Sequence, residues 1–476
     1  MEDTARIRTT IPARLDSLPW SRWHWRVVLA LGITWLLDGL EVTMVGSIGP
    51  VLLRPDTLGL SATQLGSAAS AYVAGAVVGA IVFGRMADRF GRKRLFLVTL
   101  AVYVFATTLT GLTWDFASFA FCRFLTGFGI GGEYAAINSA IDELIPARVR
   151  GRVDLGINGT FWVGAAAGAL LSVALLHPAG VGPQLGWRLA FLLGAIIGVA
   201  MVIVRRNVPE SPRWLITHGH ADVAEAEIQA IEHAAGAPLG AGTSPPHPPL
   251  AIRLRAHVSW TEIAHLMAFR FRRRALLGLS LMATQAFFYN AIFFTYGLVL
   301  TRFYAVPDER VGRYILPFAV ANFLGPLVLG SLFDTVGRRR MIAVTYAVSG
   351  LVLLAAGYGF LQDWLTAGTL TLAWAAIFFV ASAAASSAYL TVSEIFPLEM
   401  RAISISIFYA VGTAIGGFFT PAIFGALIDS GSREALFYGY AAAGVLMCAA
   451  AAVAIAVGID AERKPLEAVA EPLSSA

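Results

Sequence analysis

Cysteine is almost absent from this chain: Cys122 and Cys448 are the only two among 476 residues. Both fall inside apolar stretches, so neither a disulfide framework nor a thiolate metal site is expected, and no other metal-ligand spacing appears. Charge is scarce too. Asp, Glu, Lys and Arg make up 14% of the chain, against roughly 25% in soluble domains, which excludes an ordinary water-soluble globule. No nucleophile–base set stands out, so an enzyme is not expected. The net charge of +5 and pI near 9.3 would suit nucleic acid only if the positive residues gathered on one surface. They do not, and no nucleic-acid partner is expected.

What the chain has in quantity is apolar sequence: 57% hydrophobic residues and a mean hydropathy of +0.70. Twelve segments are each long enough for the roughly 20 residues that cross hydrocarbon: 27–50, 63–84, 95–112, 116–142, 153–176, 188–204, 275–300, 311–333, 341–361, 365–390, 402–427 and 435–458. Placing the first residue in the cytoplasm puts 28 of the 35 Lys and Arg on that side and 6 outside, with Arg123 inside the membrane. The positive-inside rule therefore predicts a multi-pass inner (plasma) membrane protein with both termini cytoplasmic. The first span is too long for a cleavable signal core and follows a polar tail, so it is expected to remain as an anchor.

Two blocks repeat. Gly84-Arg-Met-Ala-Asp88-Arg89-Phe-Gly91-Arg92-Lys-Arg returns as Gly330-Ser-Leu-Phe-Asp334-Thr-Val-Gly337-Arg338-Arg339-Arg, 246 residues later. Glu143-Leu-Ile-Pro146-Ala-Arg-Val-Arg150 returns as Glu394-Ile-Phe-Pro397-Leu-Glu-Met-Arg401 at an offset of 251. Two motifs at nearly one offset imply a duplicated membrane unit. The expected fold is an all-α membrane protein: twelve transmembrane helices in two six-helix pseudo-repeat bundles, 27–204 and 275–458. Cytoplasmic tails would cover 1–26 and 459–476, and a cytoplasmic central loop 205–274. In that loop Ala221–Ala235 reads as a short surface helix, 236–250 as a Gly/Pro linker, and Trp260–Arg274 as a basic amphipathic helix. The last is either a gate element or the flank of the next span.

These motifs resemble the major facilitator superfamily. Arg123-Phe-Leu-Thr-Gly-Phe-Gly-Ile-Gly-Gly-Glu133, the paired Glu-Pro-Arg loops and Pro209-Glu-Ser-Pro-Arg-Trp-Leu215 resemble its sugar-porter and metabolite–proton symporter branches. Departures occur where sugar porters carry Gln-Gln-x-x-Gly-x-Asn: Gln285 and Asn290 keep the spacing, with Phe287, Phe288 and Tyr289 between them. Ala385, Ser386 and Tyr389 replace Gly-Pro-x-x-Trp. Asp38-Gly-Leu-Glu41 resembles aromatic-acid symporters and Gly131-Gly-Glu-Tyr134 phosphate and organic-acid symporters; a niacin-type or synaptic-vesicle-like branch fits at least as well as a hexose carrier. The resemblance implies secondary active transport, a small-molecule substrate, the lipid bilayer as surroundings, a monomer, and no cofactor beyond a coupling proton.

Ionisable residues inside spans are costly and default to function. Asp38 and Glu41 share a helix face, and Arg123 reaches similar depth from an antiparallel span. The expectation is that Glu41 carries the proton, Asp38 assists and Arg123 is the switchable counter-ion, against a static ion pair or an Arg reserved for an anionic substrate. Glu133, about 15 Å further in, is either an inner relay or a packing group. Asp88, Arg89, Arg92, Glu143 and Arg150, with Asp334, Arg338, Arg339, Glu394 and Arg401, are expected to form a cytoplasmic gate between the bundles. Gln285, Asn290, Tyr289, Asn158, Trp162 and Tyr389 are the candidate substrate contacts, their aromatic content favouring an aromatic or organic acid over sugar. A drug antiporter is disfavoured because Gly159–Gly168 lacks proline. A facilitative uniporter stays open, and a non-transporting sensor would need a longer tail.

Overall fold

A computed structural model describes the chain except residues 1–5, 177–180, 206–208, 238–249, 254–258, 294, 307 and 474–476. The first half runs β1 (Arg6–Thr9), α1 (Ile11–Ser17), α2 (Arg22–Leu52), α3 (Ala62–Phe90), α4 (Arg92–Thr110), α5 (Phe116–Leu144), α6 (Arg150–Leu176) and α7 (Pro183–Arg205). Between the halves lie α8 (Pro212–Thr217), α9 (Ala221–Ala235), β2 (Leu250–Arg253) and α10 (Trp260–His265). The second half comprises α11 (Arg272–Ile292), α12 (Tyr296–Tyr304), α13 (Asp308–Thr335), α14 (Arg338–Leu361), α15 (Ala367–Glu394), α16 (Arg401–Gly412), α17 (Thr420–Asp429) and α18 (Arg433–Val457). A short α19 (Leu466–Val469) follows.

Among the described residues, eleven helical stretches are long and apolar enough to cross a membrane. The twelfth span is α5, equally long at 29 residues but carrying Arg123, Glu133, Asp142 and Glu143. Short polar caps start several spans: Ser61 accepts from Gln64 N, Asp115 from Ser118 N, Thr366 from Thr369 N and Ser432 from Ala435 N, each supplying an orphan N–H with an acceptor. Gly91 and Gly337 end α3 and α13 at φ +94° and +115°, backbone that a side chain would strain. Within the first bundle, backbones touch. A Cβ on Gly75 or Gly79 would lie 2.0 Å from a carbonyl oxygen of α5, and one on Gly127 or Gly131 2.0 Å from a carbonyl oxygen of α3. Small residues thus lock α3 to α5.

Two spans expected to be continuous are broken. The seventh divides into α11 and α12, where Thr295 Oγ1 donates back to the Ala291 carbonyl at 2.5 Å, a bond that competes with the helix ladder. The eleventh opens into a wide turn at Thr413–Gly417 before α17 restarts at Thr420 with Pro421 in its first turn. Three glycines and a residue lacking an N–H weaken the ladder there. The helix expected over Trp260–Arg274 is likewise interrupted, by a wide turn at Leu266–Arg270.

The N-terminal tail is more structured than its polarity suggests. β1 pairs antiparallel with β2, Arg6 opposite Arg253. Ile11, Leu15 and Leu18 pack on Trp214, Ile228 and Ile231 of α8 and α9. Arg14 donates to Glu232 at 2.8 and 2.7 Å and to Glu225 at 2.7 and 2.8 Å. The Glu232 bonds, with those of Glu225, outweigh burial and raise the pKa of Arg14. Residues 238–249, most of the expected Gly/Pro linker, lie outside the described residues.

Candidate functional site

Asp38 and Glu41 occupy one face of α2, both buried. Arg123 of α5 donates through Nη1 to Glu41 Oε1, and its guanidinium carbon lies 4.5 Å from the Tyr72 ring centroid. Arg123 is therefore enclosed by a carboxylate and a π face. Asp38 is held by two phenols: Tyr72 donates to Oδ1 at 3.0 Å and Tyr134 to Oδ2. Glu133 lines a small cavity with Asp38, Thr34 and Tyr103, so the buried carboxylates of Asp38, Glu41 and Glu133 share this site with Arg123.

Aromatic rings from both bundles close the centre. Trp35 stacks on Tyr134 at 4.6 Å and meets Tyr389 of the second bundle edge-on at 5.5 Å. Tyr409 lies 4.8 Å from Tyr134, and Gln285 faces the Tyr389 hydroxyl. A second cluster joins Trp162 of α6 to Tyr289 (5.9 Å) and Phe293 (4.9 Å). Tyr289 donates to Asn322 Oδ1 at 2.9 Å. The structure thus brings Trp162 to Tyr289, and Tyr389 to Gln285. Asn158 and Asn290 bond within their own helices instead, to Asp154 and to the Ala286 carbonyl.

Sequence reasoning missed Trp35, Tyr72, Tyr409 and Asn322. Trp35 stands three residues before Asp38, a spacing that shares its helix face. Asn322 is the lone amide between Pro317 and Pro326 of α13. Tyr72 and Tyr409 carry no local signal, since their roles come from tertiary packing.

At the end of the bundles where α1 and α19 pack, the repeated motifs interlock across the halves. Asp88 accepts from the backbone N–H of Ala402 (3.3 Å) and Ile403 (3.0 Å), capping α16. Asp334 accepts from Gly151 (3.0 Å) and Arg152 (2.9 Å), capping α6. Each aspartate therefore serves a helix start in the opposite bundle, where the backbone favours an anion. Arg92 binds Asp88 at 3.3 Å and Glu143 at 2.9 Å. Arg338 repeats this with Asp334 at 2.8 Å and with both oxygens of Glu394 at 2.9 and 3.0 Å. Arg150 approaches Glu394 at 3.6 Å and Arg401 approaches Glu143 at 3.8 Å, again across the halves. Arg89 and Arg339 stay outside the network. Arg89 is exposed beside Phe90, and Arg339 donates to the Ile455 carbonyl, because each lies one residue past the inward-facing Asp88 or Arg338 and so on another face of its helix.

Arg213, buried in α8, extends the network. It binds Asp16 of the N-terminal tail at 3.2 Å, the Glu143 carbonyl at 2.8 Å and Glu467 of α19 at 3.0 Å. Burial opposes its charge, but Glu467 and Asp16 prevail and its pKa is raised. Asp16 and Glu467 lie in tails whose sequence shows no motif, so this convergence had no signal.

The family described as "Sugar (and other) transporter" matches residues 20–469. The niacin transporter NiaP of Acinetobacter baylyi is 29% identical over 336 residues, 70% of this chain and 72% of that protein. The gallate transporter of Pseudomonas putida is 26% identical over 464 residues, 96% and 97% of the two chains. The structure of the proton:xylose symporter XylE bound to 6-bromo-6-deoxy-D-glucose superposes with a TM-score of 0.73 at 18% identity, covering 94% of this chain and 98% of that one; this is a likeness of fold. With twelve spans in two repeated halves and a family match over nearly its whole length, the chain belongs to the sugar (and other) transporters of the major facilitator superfamily, multi-pass membrane proteins that carry small molecules.

Proposed function

We propose that the chain is a proton-coupled symporter that takes up a small aromatic carboxylate by alternating access. It would work as a monomer in the plasma membrane, with both termini cytoplasmic and no cofactor beyond the proton. The observation that carries this reading is the buried Glu41–Arg123 pair set beside aromatic rings from both bundles. Protonating Glu41 alone would leave Arg123 buried without an anion, a loss of about 3–5 kcal/mol for a broken buried pair. A substrate carboxylate alone would put two anions on one guanidinium. When proton and carboxylate arrive together, the proton neutralises Glu41, Arg123 turns to the substrate, and neither cost remains. Asp38 keeps its tyrosine partners and shapes the polar edge of the site, and Glu133 passes the proton inward.

The rings of Trp35, Tyr134, Tyr389 and Trp162 favour a planar substrate, since offset or edge-on ring contacts contribute about 0.5–1.5 kcal/mol beyond burial. Niacin and gallate, named for two of the similar proteins, are both aromatic carboxylates. The interlocked aspartates and arginines serve as the cytoplasmic gate, closed when these caps and ion pairs are made and open when they part.

The test is uptake by the full-length protein in vesicles under an imposed pH gradient, comparing benzoate-type acids, aliphatic acids and hexoses. Aromatic acids should accumulate, and Glu41→Gln should abolish accumulation while sparing equilibrium exchange. Accumulation of hexoses alone overturns the substrate class; accumulation that survives Glu41→Gln overturns the proton role of Glu41.

A further inference from the structure

Away from the central site and beside the ion-pair network, three elements turn basic side chains into one cavity of about 520 Å³. Arg89 comes from the last turn of α3, Lys93 and Arg94 from the first turn of α4, and His218 and His220 from the turn joining α8 to α9. Arg92, Arg150, Arg213, Arg338 and Arg401 on the same face are buried in ion pairs. Arg89, Lys93 and Arg94, in contrast, have no acidic partner among the described residues.

Glu210 is the one carboxylate lining the cavity, and both of its oxygens are taken. Oε1 accepts from Arg92 N at 2.9 Å and Ser211 N at 3.0 Å, and Oε2 from Lys93 N at 3.2 Å. It closes the start of α4 and remains one negative charge among three cations and two imidazoles, so the lining keeps an excess of positive charge. Trp214 fixes one wall: it is buried, bonded through Nε1 to the Asp88 carbonyl at 2.9 Å, and stacked on His218 at 4.1 Å.

We propose that this cavity binds the phosphate group of an anionic ligand. Three cations from the two facing helix ends of α3 and α4 match a group with more than one negative charge and several acceptor oxygens, which a single carboxylate is not. The volume suits a phosphorylated headgroup or small metabolite. Phe90, 42% exposed on the rim, places the opening where helix ends meet the bilayer surface, so a lipid headgroup and a soluble phosphate are both within reach. An occupant ties the α3–α4 turn to α8. Since Asp88 and Arg92 flank that turn, it holds in place the cap that Asp88 provides to α16.

The test is native mass spectrometry of the detergent-solubilised full-length protein titrated with phosphatidic acid and, separately, with inorganic pyrophosphate. The wild type, Lys93→Gln/Arg94→Gln and, as a control, Arg340→Gln are compared. Saturable binding of at least one probe is expected, weakened at least tenfold in the double variant and less than twofold in the control. Saturation by phosphatidic acid alone assigns a lipid headgroup, and by pyrophosphate alone a soluble ligand. A second measurement needs no variant: the bound probe should shield Lys93 of the wild type from amine acetylation. Absence of saturable binding, equal binding by the double variant, or an unshielded Lys93 overturns the proposal.

Discussion

The two halves share a fold and a repeated aspartate–arginine loop but differ sharply in what they bury. The first half holds Asp38, Glu41, Arg123 and Glu133 inside its spans. The second half has no Asp, Glu, Lys, Arg or His over Ala275–Ile292, Tyr314–Phe333, Met341–Leu361, Ala367–Ser393, Ala402–Gly412 and Ala435–Val457. Its central face is made of Gln285, Tyr289, Asn322 and Tyr389. Close glycine contacts occur in both halves, between α3 and α5 in the first and between α14 and α18 in the second, but the second half also carries the wide turn at Thr413–Gly417. The repeated halves thus keep one architecture and differ in content, with buried charge in the first and uncharged polar and aromatic groups in the second.

The largest expected effect breaks that division where charge is concentrated. Arg123→Ala leaves Glu41 buried without its counter-ion and should lower stability by about 3–5 kcal/mol. Adding Glu41→Gln should recover most of it, as read by thermal unfolding in detergent; no recovery would mean that the pair is not the cause. Next, the repeats should be unequal under steric challenge. A Cβ on Gly84 would sit 1.8 Å from Ser406 Oγ, whereas one on Gly330 meets nothing nearer than 3.3 Å. Gly84→Ala should therefore cost about 1–3 kcal/mol as an overpacked contact, and Gly330→Ala clearly less. Comparable melting temperatures for the two variants would contradict this.

Smaller, and expected to be symmetric, is loss of the exchanged caps. Asp88→Asn and Asp334→Asn should each remove about 1 kcal/mol and raise the rate at which a cysteine placed at this face is alkylated. A marked difference between the two would show that one half dominates the gate. The mildest change belongs to the second half. Tyr389→Phe should raise KM for an aromatic acid several-fold while leaving the pH dependence of transport unchanged, because the hydroxyl touches Gln285 and no carboxylate of the first half. A shifted pH profile would place Tyr389 in the proton path.

Much of this was legible beforehand because membrane sequences advertise their constraints. Long apolar runs and the one-sided distribution of arginine expose the spans, and an intramembrane Arg123 demands an acid, with Asp38 and Glu41 the candidates at matching depth. The repeat of Asp88 as Asp334 marks the two loops that interlock across the halves. What sequence does not carry is partner choice across the halves. Nothing local says that Asp88 receives Ala402 and Ile403, or that Tyr72 and Tyr134 both reach Asp38. Nor does polarity separate a free tail from one that packs Ile11 and Leu15 on α9 and delivers Asp16 to Arg213. Nor does sequence show that Asn158 and Asn290 donate through their amide nitrogens within their own helices.

The exchange of caps has a consequence for ancestry. A contact in which residue i of one unit serves residue j of the other, and j returns the service to i, is the isologous contact of a two-fold dimer. Asp88 with α16 and Asp334 with α6 form such a pair within one chain. A single six-helix unit bearing both the aspartate loop and the Glu-Pro-Arg loop would meet a second copy of itself through the same four backbone bonds. The present protein preserves, as a covalent fusion, the interface by which two identical halves could first have recognised each other.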